Sequence, residues 1–444
     1  MKNHCRLLLS CVAIALLGLM VQKAKATPYA SGITNNNGTI QFYINESGGN
    51  VTVTYEDGST NANFDPAQGT GINLDAGQYS FSLGSHASYA ISVFKQGSGV
   101  PSVINSPIQK ANGNGGFFQL GDLRGVDVNK NPKSPYFGTI YIACSARSSP
   151  AKALQMFNAD GSFISSNNAG VTWTVGNANS PYRIAVAPDG YLMVGDYSSA
   201  GAGIWRVSPD LSSAQLFLGP LGDQTLNSTG AVVHGLVFSR PLLLGPLTNN
   251  GTTTLMYVDN DFPSTQPNSI LIFTNITTNS LPWENPPTFI GPEVGLNFSG
   301  LNNVYPGLTE GTNGYIYASE QRQNYVIPDM DIYDATGTNL LWDSLVTVNS
   351  GPDYFVTETG GGAGLQGLVD SAVSPDSAYL VGLAIDNHMT ICSLTNGIPD
   401  DRTFFTVAPT SYAENARGIC WDAADNIYPT FPIWVVAHDR RGLF

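Results

Sequence analysis

Apolar and polar residues alternate along this chain in short runs set apart by turn residues. The segment "RIAVAPDGYLMVGD" (183–196) reads as a strand, a Pro-Asp-Gly turn and a second strand that ends in an acid. "GIWRVS" and "AQLFLG" follow as a third and a fourth strand. The same phrasing recurs as "RGVDVNKNPKSPYFGTIYIACS" from Arg124 and as "HGLVFS" from His234, followed after an insertion by "TTLMYVDND". It recurs again as "PGLTEGTNGYIYASE" from Pro306, "DSAVSPDSAYLVGLAID" from Asp370 and "RGICWDAADNIY" from Arg417. β-Branched and aromatic runs broken by Gly, Pro, Asn and Asp are strand–turn–strand signals. One antiparallel sheet repeated every ~45–75 residues predicts an all-β fold, most simply a β-propeller of six blades.

The sixth copy is short. Only 28 residues run from Arg417 to Phe444, against the roughly 40 a blade needs. Pro429 and Pro432 also fall where a strand should continue. The last blade is therefore expected to be incomplete, with 97–121 the stretch that would finish it. Ahead of the repeats, "TIQFYIN", "NVTVTYED", "GQYSFSLG" and "SYAISVFK" give four strands over 39–96. Period-2 alternation marks them as half-buried, and they predict a small antiparallel, sandwich-like domain. If this unit is itself a blade, the count becomes seven. Residues 27–38 read as a polar lead-in and 97–121 as a linker.

The two best copies, "RIAVAPDGYLMVGD" and "RGICWDAADNIY", resemble the NHL-type and gluconolactonase-like repeats of six-bladed propellers. The resemblance covers about residues 122–430, so the propeller is assigned to 122–444. It implies the fold, but one fold hosts unrelated activities. The 39–96 unit resembles the Ig-like β modules that accompany bacterial surface proteins. The gluconolactonase-like resemblance further implies a divalent ion at the channel mouth, polarising a lactone carbonyl. Oxygen ligands would make that ion Ca²⁺ or Mg²⁺, and Asp259, Asp261 and Glu320 are the metal candidates. The early Glu of that family has no counterpart, since position 124 is Arg.

The start of the chain is set apart by composition. Lys2 and Arg6 precede an apolar run from Leu7 to Val21, and Ala24-Lys25-Ala26 forms an A-x-A site. Residues 1–26 thus read as a secretory signal peptide, which places the mature protein in the periplasm, at the cell surface or outside the cell. The run is shorter than the ~20 residues that span a bilayer, and no later segment is long and apolar enough to do so. Loss of the leader removes four positive charges and no acid, taking the net charge from −14 to −18. So acidic a surface repels phosphate backbones and argues against nucleic acid. Cys144, Cys392 and Cys420 remain, an odd number that reads as buried free thiols.

Function must come from side chains that the repeat brings together. The start of each first strand and the end of each second strand fall on the same face of such a fold. The first position carries Arg124, Arg183, His234, Asp370 and Arg417, within one residue of register. The second carries Asp196, Asp259, Glu320 and, two residues late, Asp386. Together they would ring a channel mouth with mixed charge, as a polar ligand or cation pocket or as acids tied up by turn N–H groups and neighbouring arginines. Trp283, in "SLPWENPP", is the candidate aromatic platform for a sugar ring. The sequence carries no G-x-S-x-G, H-E-x-x-H or paired-Cys motif. The expected function is a secreted recognition or scaffold module that binds a protein or carbohydrate at the mouth. The alternative is an extracellular hydrolase, lactonase or lyase acting on carbohydrate-like substrates. An enzyme would show convergent carboxylates, one of them beside a His or metal; a scaffold would show its acids consumed by Arg183 or Arg417.

Overall fold

The computed structural model describes residues 28–95, 108–109, 123–145, 152–174, 180–198, 203–218, 237, 239–249, 252–258, 270–277, 288–290, 304–321, 330–337, 339–343, 368–384, 389–407, 417–424, 427–431 and 434–437. Residues 1–27, which include the stretch read as a signal peptide, and residues 438–444 lie outside them. The chain is all-β, and among the described residues no helix is long and apolar enough to cross a membrane.

The leading unit has five strands: β1 (Ala30–Asn36), β2 (Thr39–Ile44), β3 (Asn50–Tyr55), β4 (Gly77–Ser82) and β5 (Tyr89–Phe94). They form two antiparallel sheets, β1-β2-β4 and β3-β5. The predicted alternation is realised in β2 and β3, where Ile40, Phe42, Ile44, Val51 and Val53 are fully buried. Those residues, with Phe64 and Phe81, make one core. The lead-in read over 27–38 contributes β1, which pairs with β2 across a turn at Asn37-Gly38. Its Asn- and Gly-rich composition hid the strand. The unit leans on the first of the sheets that follow: Gly32 N–H donates to the Phe137 carbonyl at 3.0 Å, and Tyr29 packs edge-on against Phe137.

Six four-stranded antiparallel sheets follow among the described residues. After β6 (Ile108–Gln109), the first sheet holds β7 (Leu123–Val128), β8 (Ile140–Cys144), β9 (Leu154–Phe157) and β10 (Phe163–Asn167). The second holds β11 (Arg183–Val186), β12 (Leu192–Asp196), β13 (Gly203–Val207) and β14 (Ala214–Leu218). The third holds β15 (Leu242–Leu243), β16 (Thr253–Val258), β17 (Ile270–Ile276) and β18 (Thr288–Ile290). The fourth holds β19 (Val304–Glu310), β20 (Ile316–Gln321), β21 (Met330–Tyr333) and β22 (Leu340–Asp343). The fifth holds β23 (Leu368–Val373), β24 (Tyr379–Ala384), β25 (Met389–Thr395) and β26 (Ile398–Val407). The sixth holds β27 (Ile419–Trp421), β28 (Ile427–Phe431) and β29 (Trp434–Ala437), with β6 as its fourth strand.

Each sheet packs on the next through its own apolar cluster. Tyr141 and Leu154 meet Ile184 and Leu192; Met193 and Leu218 meet Leu243 and Leu255. Met256 and Ile272 meet Leu308 and Ile316; Tyr317 and Ile332 meet Leu368 and Leu380. Val369 and Val381 meet Ile419 and Trp421, and Cys420 meets Val126 and Ile142 of the first sheet. Each fully buried aliphatic side chain contributes about 1.5–3 kcal/mol, so the strands' second faces supply the cohesion between sheets. Buried polar tips add direction. Tyr141 and Tyr317, at matching places in β8 and β20, donate to the carbonyls of Pro209 and Gly397 in the following sheet. The Trp421 indole donates to the Ala372 carbonyl at 3.0 Å.

The sixth sheet receives its fourth strand from 97–121, the stretch expected to finish the last repeat. Val436 pairs with Gln109 and Ala437 with Ile108, so a strand from the stretch read as a linker completes it. Pro429 does sit in β28, opposite Ile419, but pairing of β28 with β29 begins at Thr430. Proline is tolerated where its missing N–H is not required. A pairing of two residues can be tested directly. Successive N–H groups along a strand point to opposite edges, so one of Ile108 and Gln109 donates to β29. Ile108→Pro/Gln109→Pro should lower stability by about 1–3 kcal/mol, read as a lower urea midpoint. An unchanged midpoint would contradict the pairing.

Candidate functional site

Among the described residues, the first strand of each four-stranded sheet is an edge strand. Its backbone N–H and C=O groups on that edge still need partners once buried, and the structure supplies them with side chains of the predicted cluster. Counted back from each turn, Arg124 and Arg417 occupy one position. Arg183, Arg240 and Asp370 sit one residue further along, level with Gly125 and Gly418. The glycines follow from close approach. A Cβ on Gly125 would lie 2.9 Å from the Ile184 nitrogen, and one on Gly418 would lie 2.9 Å from the Val126 nitrogen.

Arg183 is fully buried. Its Nη1 donates to the Arg124 carbonyl at 2.8 Å and its Nη2 to the Val369 carbonyl at 3.0 Å, joining the second sheet to the first and the fifth. Both acceptors sit where the ladder register shifts, between Leu123 and Gly125 and between Leu368 and Asp370. A bulged residue is left out of the ladder, and the guanidinium fork, with five donors, satisfies it. The guanidinium also lies 4.9 Å from the Tyr182 ring centroid, with that of Arg124 at 5.5 Å from the same ring. Burial pushes the Arg183 guanidinium below its ordinary value; Tyr182 and Asp370 oppose this, while Arg417 and Arg124 add to it.

Arg240 completes the arrangement from the third sheet. Its Nη2 donates to Asp370 Oδ2 at 2.8 Å and to the Ile419 carbonyl at 2.6 Å. Ile419 N–H donates to the same Asp370 oxygen at 3.0 Å, and Ser371 N–H donates to Oδ1. The Arg240–Asp370 pair thus clamps both peptide groups of the residue that opens β27. Burial alone would depress Arg240, but Asp370 and then Asp127 outweigh it and hold the group above the ordinary arginine value. Asp127, in the middle of β7, accepts from Val186 N–H at 2.7 Å, Val128 N–H at 2.9 Å and Lys130 Nζ at 3.1 Å. Burial pushes its carboxyl up, yet Lys130, Arg240 and the two amides prevail and hold it below the ordinary carboxylate value.

The structure places Arg124, Arg183, Asp370 and Arg417 near one another, with Arg240 and Asp127 beside them. Asp196 belongs to a neighbouring group: Oδ2 accepts from Ser180 Oγ at 3.0 Å and Oδ1 from Ser198 N–H at 2.8 Å. It is a loop-holding acid in these contacts. The third copy needs correction. Its first strand is Leu242–Leu243, paired with Met256 and Leu255, and not the run opening at His234. "RPLLLG" carries an Arg-x-apolar phrase, with Arg240 level with Arg183 and Pro241 level with Val126 and Ile184. His234, Asp259, Asp261, Asp386 and Trp283 lie outside the described residues. Glu320 lies on β20, with its backbone alone described. Among the described residues no three His, Cys, Asp or Glu side chains are grouped to hold a metal. Cys144, Cys392 and Cys420 are buried and form no disulfide, and burial pushes the Cys392 and Cys420 thiols up, away from reactivity.

No protein-family model and no curated protein sequence matches this chain. The geometry itself gives two tests. Removing one partner of a buried ion pair costs about 3–5 kcal/mol, whereas an apolar replacement of both commonly restores stability. Here Arg240→Met/Asp370→Leu should stay destabilised by about 2–4 kcal/mol, because it strands the Ile419 N–H and C=O. Full recovery in urea unfolding would reduce the pair to a simple ion pair. Asp127 titrates below its unfolded value. Its stabilisation is complete above about pH 4 and is lost as pH falls through the lower folded value. The stability gap between the native chain and Asp127→Asn should therefore be widest at neutral pH and close toward pH 3. A gap independent of pH would contradict the assignment.

Proposed function

We propose that the six sheets are the blades of a six-bladed β-propeller whose last blade is completed by β6, and that the chain is a secreted recognition or scaffold module. The single observation behind the non-catalytic reading is the fate of the carboxylates. Asp370 is consumed by Arg240 and the Ile419 amide, Asp127 by Lys130 and two amides, and Asp196 by Ser180 and the Ser198 amide. A general acid or base needs a carboxyl aimed at a substrate atom, and these three are aimed at the chain itself. The partners of these three acids are Arg240, Lys130, Ser180 and backbone amides. Sheet-to-sheet packing from the sixth back to the first supports the ring. The Leu7–Val21 run with its A-x-A site supports export. The NHL-type and gluconolactonase-like likeness enters as a likeness of repeat only.

The test joins a metal measurement to a turnover measurement. The mature chain, purified without chelator, should carry no stoichiometric Ca²⁺, show no thermal shift with added Ca²⁺, and turn over neither aldonolactones nor aryl glycosides. It should nonetheless bind ligands on a glycan or peptide array. Calcium-dependent hydrolysis that drops about 100-fold in Asp259→Asn or Glu320→Gln would replace this reading with the lactonase one.

A further inference from the structure

The strands of the leading unit are free of charge. None of the residues in β1 to β5 is Asp, Glu, Lys, Arg or His, in a chain whose net charge is −14. Water-facing strand positions are where charge is ordinarily placed. The unit is seated on the first of the six sheets through the start of β1. There Tyr29 meets Phe137, Gly138 abuts Ser31, and Gly32 donates to the Phe137 carbonyl. β3 and β5 form the other sheet, across the core that holds Phe42, Val51 and Phe81.

The outer face of that second sheet is regular. β3 and β5 pair without a register shift, setting Asn50 opposite Phe94, Thr52 opposite Ser92 and Thr54 opposite Ala90. Residues opposite one another share a face, while Val51 and Val53 turn into the core. Ala90, Ser92 and Phe94 are exposed, and their β3 partners are half-buried. At 61% exposure, Phe94 is the most exposed large apolar residue among those described. Ile72, also exposed, borders the same end of β3, since its neighbours Gly71 and Asn73 bond to Val51 and Asn50. Donors and acceptors are not spent here as they are at the first-strand edges. Asn50 Oδ1 accepts from the Asn73 amide at 2.9 Å, which leaves its NH₂ group. Among the described residues, the hydroxyls of Thr52, Thr54 and Ser92 take part in no hydrogen bond. Lys95, which follows Phe94, turns its ammonium to the Ser47 carbonyl at 2.9 Å.

The geometry points to this face as a binding surface for a neutral polysaccharide. Phe94 is the platform for a sugar ring, and Asn50, Thr52 and Ser92 are its hydrogen-bonding neighbours. The inference rests on the recognition reading above and gives it a ligand class and a place away from the first-strand charges. A sugar ring offers C–H groups to an aromatic face and hydroxyls that both donate and accept; amide and hydroxyl side chains answer in kind. An ionic ligand would find no opposite charge on these strands. A protein partner needs an apolar centre, where Ser is depleted, and one ring among hydroxyls does not provide it.

The experiment is calorimetric titration of the mature chain with cellohexaose, laminarihexaose and maltohexaose, and with oligogalacturonate as the charged control. Saturable binding of at least one neutral hexaose, tighter than that of oligogalacturonate, is the expected result. Phe94→Ala should weaken it about 3–10-fold, the range of one aromatic contact. Its urea midpoint should stay unchanged, because the ring is exposed. Phe94→Tyr should retain binding. Ile164→Ser, which removes an exposed apolar residue of β10, should leave it unchanged. Binding of no hexaose, preference for oligogalacturonate, or full affinity in Phe94→Ala overturns the face. A dimer in sedimentation that Phe94→Ala dissociates, with glycan affinity intact, would assign the face to a second copy and overturn it too. Hexaose binding that survives Phe94→Ala rejects this face and keeps the recognition reading, whereas calcium-dependent lactone turnover removes that reading itself.

Discussion

The inner edges of the first strands impose the constraint that organises this molecule. A sheet edge exposes unpaired N–H and C=O groups, and burying them without partners costs about 1–3 kcal/mol each. Among the described residues, polar side-chain contacts link the first strands of the first, second, third, fifth and sixth sheets. The chain answers with side chains of matched polarity: arginine where a carbonyl is orphaned, aspartate where an amide is. Arg183 takes the two bulged carbonyls, Asp370 and Asp127 take amides of the next sheet, and Arg240 closes the pattern on Ile419. The central charges are therefore first a solution to a backbone problem. Their arrangement as mixed-sign pairs follows from the chemistry of the groups they satisfy.

That origin bears on function. Charged residues gathered at the start of first strands resemble an active site when read from sequence, because both need polar side chains where apolar ones are the rule. The structure separates the two by asking where each donor and acceptor goes. Asp370 and Asp127 are spent on the fold.

Much of the fold was legible because strand and turn chemistry is local. The runs at Thr39–Ile44, Asn50–Tyr55, Arg183–Val186 and Leu192–Asp196 became strands where alternation and Pro-Asp-Gly turns placed them. Three elements were not legible. β1 is a polar stretch with Gly32, Asn35 and Asn36 in it, β6 is two residues long, and β15 is two residues long behind a proline. Their pairing is set by neighbours distant in sequence, and short strands carry too few residues to show a period. The site was legible in the same measure. Arg124, Arg183, Asp370 and Arg417 emerged from the repeat, while Arg240 was masked by Pro241 and the false start at His234. Asp127 had a signal that went unused, an acid in an otherwise apolar strand.

The clearest test of the central claim is hydrogen exchange at the Ile419 amide. If its N–H is held by the Asp370 carboxylate within a buried clamp, it opens only when the whole structure unfolds. Its exchange free energy then equals the global stability measured under the same conditions. Exchange near the rate of an exposed amide, while the apolar strands stay protected, would show that the inner edge is not sealed by these charges and would remove the basis of the account.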